Sequence, residues 1–271
     1  MSSDIRKRKI EGHWMKLDIA NPGISRVLFN EGKREEAFMW LLRKESFGVG
    51  LDVGANIGYC TVSMAEMCTK VIALEPDFRS MKLLRKNIKM NKLHNVDVYP
   101  YAISDEDKTI KLYLAKKPNM TSVRNILEEG DCIHEQEVQC YAIDTFPDTT
   151  PVDFVKMDIE GEEVGALAGG ISKLHEKGLK RILIEVHPQA YDEKNDMRAI
   201  LGEYLKKYRM KYIVNAKGKR DEFKSLSIIK SFKKCDRSVY APGDIGTMID
   251  WICTMPDDGK KLVRSFLMEK Q

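Results

Sequence analysis

A chain of 271 residues, 43% hydrophobic and 32% charged, has ordinary globular composition, and its length suits one large α/β domain with a small extension. No apolar run approaches the roughly 18 residues that a membrane-spanning helix needs. The opening "MSSDIRKRKIEGHW" is basic but lacks the apolar core of a secretory signal, which points to a cytoplasmic setting. The net charge of +4 is too mild to demand a nucleic-acid partner, and the basic runs Arg6 to Lys9 and Lys230 to Lys234 read as solvated faces.

Residues 1 to 45 precede the first clear strand and are expected to form a helical cap, with "REEAFMWLLRKE" as its main helix. The apolar side chains Phe38, Trp40 and Leu41 there would cover the sheet or meet a second subunit in a homo-oligomer. From residue 46 onward strands and helices alternate. The strand-like runs are "VGLDVGA", "KVIALEP", "VDVYPYAI", "DFVKMDI" and "RILIEVH". Asp77 can cap the helix after the second run, in which Met81, Leu84 and Ile88 share a stripe. A second helix is predicted from Val164, Leu167, Ile171 and Leu174, ended by Gly178. A third carries Met197, Ile200, Leu201, Tyr204 and Tyr208. Val-, Ile- and Leu-rich strands alternating with helices predict a mostly parallel sheet with helices on both faces.

Two stretches break the alternation. The runs "TIKLYLA" and "VQCYAI", within an insertion of about residues 108–144, flank a polar segment from Lys116 to Glu137. That segment, with Met120-Thr-Ser122, reads as a lid over an acceptor. At the far end, "KYIVNAK" and "TMIDWICTMP" read as an antiparallel pair at the sheet edge. None of the six cysteines forms a C-x-x-C pair, and Cys132 and His134 lack a second ligand pair at zinc spacing. Reduced, structural thiols are expected.

The chemistry starts at "GLDVGANIGYC". In an open α/β sheet ligands bind beyond the carboxyl ends of the strands, and the first strand-to-helix turn is that place. Gly54 and Gly58 allow backbone to turn tightly and approach a ligand. The middle glycine of the dinucleotide fingerprint is replaced by Asn56, and Asp52 precedes the loop; both disfavour a pyrophosphate. Asp52 suits the ammonium group of an amino acid. The second strand ends in Glu75, followed by Pro76, and a carboxylate there can take both hydroxyls of a ribose. A nucleoside with a cationic amino-acid tail and no phosphate satisfies all three, and S-adenosylmethionine is that molecule.

A second group of ionisable residues lies in "DFVKMDIEGEE" and "LIEVH". Alternation puts Phe154, Lys156 and Asp158 on one face of their strand and Glu185 and His187 on one face of the next, with Glu160 just beyond. If these strands are neighbours, the acids and His187 gather at the rim near the glycine loop, where their burial would be costly unless they are paired or used. Their work would be to deprotonate a hydroxyl that attacks a methyl sulfonium. His187 needs the least tuning as base. Lys156 would serve if desolvation lowered its pKa, and a salt bridge to Asp158 is its plainer reading. A divalent metal ion held by the acids is a further way to activate the hydroxyl, with no residue assigned as its ligand. Asp144 reads equally as a turn or helix cap.

The segments "LDVGANIGYCT", "VIALEPD", "LLRKNIKMN", "NVDVYPYAISD", "AIDTF", "DFVKMDIEGEE", "LAGG" and "IEVH" resemble the FkbM family of S-adenosylmethionine-dependent methyltransferases, from about Leu51 to His187. The resemblance implies a class I, Rossmann-like sheet of seven mostly parallel strands with the last antiparallel. It also implies methyl transfer to a hydroxyl of a sugar, glycan or small metabolite. It places cofactor contacts at Asp52, Gly54, Asn56, Gly58, Glu75, Pro76, Ala102, Ile103, Ser104 and Asp158, with Ala102 to Ser104 against the adenine and Asp158 lining the methyl-transfer pocket. One departure is Glu163, where the family often has a small residue. Other classes stay open. The Lys156 and Asp158 spacing with Glu185 also suits ribose 2′-O-methylation of RNA, although no aromatic-basic patch appears. The loop disfavours an NAD-dependent dehydrogenase, and a non-catalytic binding module would have no use for the acids.

Overall fold

The structure is a computed structural model that describes residues 4–20, 23–115, 121, 132–175, 178–216, 221–255 and 259–271. It begins with an antiparallel hairpin of β1 (Ile5–Ile10) and β2 (His13–Asp18). Glu11 and Gly12 in its turn have φ of 47° and 101°, and two positive φ values in a two-residue loop are the requirement of a type I′ turn. Helices α1 (Ile24–Glu31) and α2 (Glu36–Glu45) follow. The expected helical cap is therefore corrected in its first half. β2 alternates, burying His13, Met15 and Leu17 while Trp14 stays exposed, and this period of two makes a strand. Helix α2 is the predicted one. Its Phe38, Leu41 and Leu42 are buried against the sheet, at about 1.5–3 kcal/mol each.

The main layer is built by β3 (Val49–Val53), α3 (Tyr59–Met67), β4 (Lys70–Leu74), α4 (Phe78–Met90) and β5 (Val96–Tyr99). Pro100 ends β5. The run read as one strand, "VDVYPYAI", is divided there: β6 (Ala102–Ser104) joins β7 (Lys108–Ala115) and β8 (Cys132–Ala142) in a separate three-stranded sheet. The chain returns through β9 (Phe154–Met157), α5 (Glu163–Ala168), α6 (Ile171–Leu174), β10 (Arg181–Glu185), α7 (Met197–Tyr204) and β11 (Tyr208–Asn215). It ends with β12 (Ile228–Phe232), β13 (Arg237–Tyr240), α8 (Ile245–Cys253) and β14 (Val263–Lys270). The single helix predicted over Val164 to Leu174 is broken at Gly169 and Gly170 into α5 and α6. Asp144 caps α6, accepting from the N–H groups of Ser172 and Lys173 at 3.0 and 2.7 Å.

Among the described residues the large sheet has nine strands, in the order β12-β13-β11-β14-β10-β9-β3-β4-β5. The five from β10 to β5 are parallel, and β14 is antiparallel to both β10 and β11. Seven strands with an antiparallel last one are thus present, and β12 and β13 extend the edge beyond them. The strand expected from "TMIDWICTMP" is a correction, since it forms α8. Asp244 accepts from the Thr247 N–H at 2.9 Å, and Met248 and Ile252, one turn apart, are buried. The apolar, β-branched composition hid that cap. The antiparallel partners of β11 are instead β13 and β14, so β11 lies inside the sheet.

Alternating side chains feed two cores. Val155, Met157, Ile182 and Ile184 face α5, α7 and α8, while Phe154 and Leu183 face α2, α3 and the hairpin. Cys60, Cys68, Cys132, Cys140 and Cys253 are free. No helix among the described residues is long and apolar enough to cross a membrane. The segment read as a lid lies outside the described residues except for Thr121 and the start of β8.

Candidate active site

Strand order reverses at β3, which lies between β4 and β9, and the turn after β3 opens a cleft there. Gly54 has φ 80°, and the N–H groups of Gly54 and Ala55 both donate to the Leu74 carbonyl, at 3.1 and 2.9 Å. Asn56 also has a positive φ, 52°, and its N–H donates to Glu75 Oε2 at 2.7 Å. The other oxygen of Glu75 accepts from the Asp77 N–H at 2.8 Å, and Asp77 caps α4 through the Arg79 N–H at 2.8 Å. Two backbone donors therefore clamp one carboxylate at the cleft wall. Burial and the neighbouring Asp77 push its carboxyl up to about 8, against those two donors.

The cleft is lined by Gly54, Ala55, Asn56, Glu75 and Pro76 on one side and by Tyr101, Ala102, Ile103 and Leu112 on another. Asp158, Glu160, Glu162 and Glu185 form its acidic rim, with Arg34, Glu35 and Arg264 beside them. Three sequence-predicted cofactor residues lie behind this wall. Gly58 packs against Leu84 of α4. The Ser104 hydroxyl donates to Asp105 at 2.9 Å and to Glu162. Asp52 is fully buried and already partnered: its Oδ1 lies 2.9 Å from Lys156 Nζ, and its Oδ2 accepts from the Thr61 hydroxyl at 2.7 Å.

This corrects two expectations. Asp52 is not free to receive an ammonium group from a ligand, and Lys156 pairs with Asp52 rather than Asp158. The two are Cα partners across β3 and β9, a register that one strand's spacing does not reveal. Lys156 Nζ also donates to the carbonyls of Gly54 and Val53, at 2.7 and 3.3 Å. Burial acts to lower its pKa, but the charge of Asp52 outweighs it and holds the amine above its usual range. Lys156 clamps the glycine turn.

Neighbouring β9 and β10 do gather Asp158, Glu160, Glu185 and His187. Glu160 has φ 52° and Gly161 109°, a turn that brings the Glu160 carboxylate to 3.3 Å from His187 Nε2. Glu185 Oε1 and Asp158 Oδ1 lie 3.6 and 3.9 Å from the same nitrogen. On the far side of the ring, Nδ1 meets Glu163 Oε1 at 2.8 Å. Glu163 is buried, accepts from the Gly161 N–H at 3.1 Å and takes the Tyr191 hydroxyl on Oε2 at 3.2 Å. Burial acts to raise the Glu163 pKa, but His187 and the N–H donors outweigh it and hold it low.

Burial likewise pushes Glu160 up to about 7 and Glu185 up to about 8, the latter against Arg264. For His187, burial favours the neutral ring, yet the surrounding carboxylates win and raise it to about 9. The carboxylates around His187 thus favour its charged form, against the expectation of a ready neutral base. Glu185 is paired with Arg264, which also reaches Glu35 at 2.7 Å. Burial would raise Glu35, but Arg264 and Arg34 hold it at about 2.

Sequence reasoning missed Arg34, Glu35 and Arg264, which converge from more than 200 residues apart and carry no local pattern. Glu163 was visible only as a departure from the family pattern, and Tyr191 gave no signal. A second cleft adjoins the first, lined by Arg34, Glu160, Glu185, His187, Gln189, Met255, Lys261 and Arg264. Glu160, Glu185, Arg34 and Arg264 border both.

The switch-point cleft at β3, the strand order and the antiparallel β14 define a class I methyltransferase. The Methyltransferase FkbM domain matches residues 52–213, more than half of the chain, and the chain belongs to the FkbM methyltransferase family. No curated protein matches it. Among solved structures, TYW2 of M. jannaschii in complex with AdoMet is similar over 100% of this chain and 89% of its own, at 18% identity and a TM-score of 0.44. The M. jannaschii tRNA m1G37 methyltransferase covers 100% of this chain at 14% identity and a TM-score of 0.44, and the chain spans 58% of that protein. An rRNA methylase from Streptococcus thermophilus is 10% identical, with 86% and 93% of the two chains covered and a TM-score of 0.40. At such scores these likenesses say nothing about the acceptor.

The methyl donor is S-adenosylmethionine, and the residues present fit it. A carboxylate is clamped at the end of β4, the Gly54 turn leaves no room for a side chain, and Ala102 and Ile103 give an apolar wall.

Proposed function

We propose that this methyltransferase transfers its methyl group to a hydroxyl of a sugar, glycan or small metabolite. The observation that carries the reading is the acidic rim shared by two adjoining clefts. The first cleft suits the donor, with Glu75 taking the ribose hydroxyls and Ala102 and Ile103 lying against the adenine. The second is polar, and among its described lining residues none is Phe, Tyr or Trp. A splayed nucleobase is usually stacked on an aromatic ring, whereas a polyol needs hydrogen-bonding carboxylates and cations, which this cleft supplies. Bound S-adenosylmethionine supplies an electrophilic methyl on sulfur. Asp158 and Glu160 orient the acceptor hydroxyl and draw off its proton, while Arg34, Lys261 and Gln189 hold the rest of the acceptor.

Radiolabelled S-adenosylmethionine incubated with fractionated extract should put label into the glycan or small-metabolite fraction, as an ether methyl stable to mild alkali. Label confined to RNA would replace this reading with nucleic-acid methylation. Asp158→Asn is expected to lower kcat by about 10²-fold or more while the donor still binds, because one acid–base group is worth about 10²–10⁴; unchanged turnover would remove Asp158 from the pocket. Glu75→Gln is expected to weaken donor binding about 10–100-fold, because an amide cannot accept from both the Asn56 and Asp77 N–H groups and leaves a buried donor unpaired, at about 1–3 kcal/mol. Calorimetric titration with S-adenosylmethionine checks it, and wild-type affinity would move the ribose contact elsewhere.

A further inference from the structure

Glu163 fixes the Nδ1 edge of the His187 ring, and is itself held by the Gly161 N–H and the Tyr191 hydroxyl. Nε2 thereby faces three carboxylates, with Glu160 at 3.3 Å, Glu185 Oε1 at 3.6 Å and Asp158 Oδ1 at 3.9 Å. One donor atom each from Asp158, Glu185 and His187 lies within 4.8 Å of the other two. The 3.9 Å from Nε2 to Asp158 Oδ1 is too long for a hydrogen bond. That separation and the 4.8 Å bound on the three donor atoms suit ligands of one ion, since ligand atoms about 2.1–2.4 Å from a cation sit roughly 3–4.8 Å from each other. Two oxygens point the same way. Asp158 Oδ1 and Glu185 Oε2 are buried and have no hydrogen-bond partner, and Glu185 as a whole is 1% exposed. Orphaned buried carboxylate oxygens are costly, and a cation relieves that cost.

We propose that Asp158, Glu185 and His187 bind one divalent cation at the junction of the two clefts, the cation taking the place of the Nε2 proton, which is released to solvent, with Glu163 as the outer carboxylate that orients the imidazole. A histidine ligand that gives its other ring nitrogen to a carboxylate is the usual construction of such sites. The donors are two hard oxygens and one imidazole, without thiolate, which suits Mn2+. Arg264 pairs with Glu185 through Oε1 and divides its charge with Glu35, which leaves Oε2 for the ion. This inference rests on the hydroxyl-transfer reading for its purpose: a cation there holds an acceptor hydroxyl and lowers its pKa.

The test is direct binding, independent of turnover. Chain freed of metal with EDTA is titrated with MnCl2, and the free-ion resonance is followed by electron paramagnetic resonance. One saturable Mn2+ per chain is expected. Asp158→Asn, at a side chain exposed enough to tolerate the change, and Glu163→Gln should each weaken binding about 10–100-fold. Thermal melts without metal confirm that both variants are folded. Absence of one-to-one binding at millimolar Mn2+, or wild-type affinity in both variants, overturns the site. Mn2+ binding without methylation of any hydroxyl keeps the site and removes the hydroxyl reading. Full hydroxyl methylation by EDTA-treated chain that binds no Mn2+ keeps that reading and removes the site.

Discussion

Gly54→Ala is expected to cost the protein about 3–5 kcal/mol and nearly all donor binding. Two independent effects add at this position. Gly54 has φ 80°, where an L-residue with a side chain costs about 1–3 kcal/mol. A Cβ there would also lie 2.0 Å from the Asp158 carbonyl oxygen and 3.0 Å from Ile159 Cγ2. The first neighbour is backbone and cannot rotate away, so the end of β9 has to move off β3. That movement pulls on the 3.1 Å bond from the Asp158 N–H to the Val53 carbonyl, and it displaces Asp158, Ile159 and Glu160 from the cleft wall. For a chain of this size the loss corresponds to a fall in Tm of roughly 10 °C. Gly202→Ala is the contrasting control. Gly202 lies in α7 with nothing within 4 Å of an added Cβ, and alanine in a helix is favoured by about 1 kcal/mol, so its Tm should hold or rise. Melting curves and calorimetry with S-adenosylmethionine check both variants. If Gly54→Ala melts with the wild type and binds the donor normally, the turn is not constrained as described.

Gly54 also shows what was legible in the sequence. The glycine turn, the alternation of apolar strands with helices, and Glu75 at a strand end are local patterns, and they specified the parallel layer and the cofactor. Neighbouring strands then brought Asp158, Glu160, Glu185 and His187 together as their faces predicted. What failed was non-local. The partner of Lys156 depends on the β3–β9 register, and no feature within either strand announces it. Arg34, Glu35 and Arg264 come from α2's entry and from β14, at opposite ends of the chain. β14 itself was passed over because α8 offered a more apolar run nearby, although Asp244 and Thr247 mark a helix start. The pKa order at the rim was likewise hidden. A lone histidine suggests a base near neutrality, whereas Glu163, Glu160 and Glu185, within 3.6 Å of its ring, raise it to about 9 against the effect of burial.

Lys156→Met separates a structural clamp from a catalytic base. Asp52 is 0% exposed and Lys156 2%, so removal of the amine leaves a carboxylate in the sheet with only the Thr61 hydroxyl to answer it. Breaking a buried pair in this way costs about 3–5 kcal/mol, because the remaining charge is uncompensated. The Gly54 and Val53 carbonyls lose a donor in the same step. Asp52→Asn alone should also destabilise, through the unpaired ammonium. The double variant Asp52→Asn with Lys156→Met removes both charges at once and is expected to be more stable than Lys156→Met alone. Urea unfolding of the four proteins gives the coupling, expected at about 2–3 kcal/mol since the groups are in contact. The kinetic result separates the two roles. A clamp lets the folded fraction of Lys156→Met retain turnover, with donor affinity falling because the turn loosens. A base would lose turnover at unchanged stability and donor affinity. Burial alone would favour the second outcome by lowering the amine's pKa, but Asp52 at 2.9 Å outweighs it, so the first is expected.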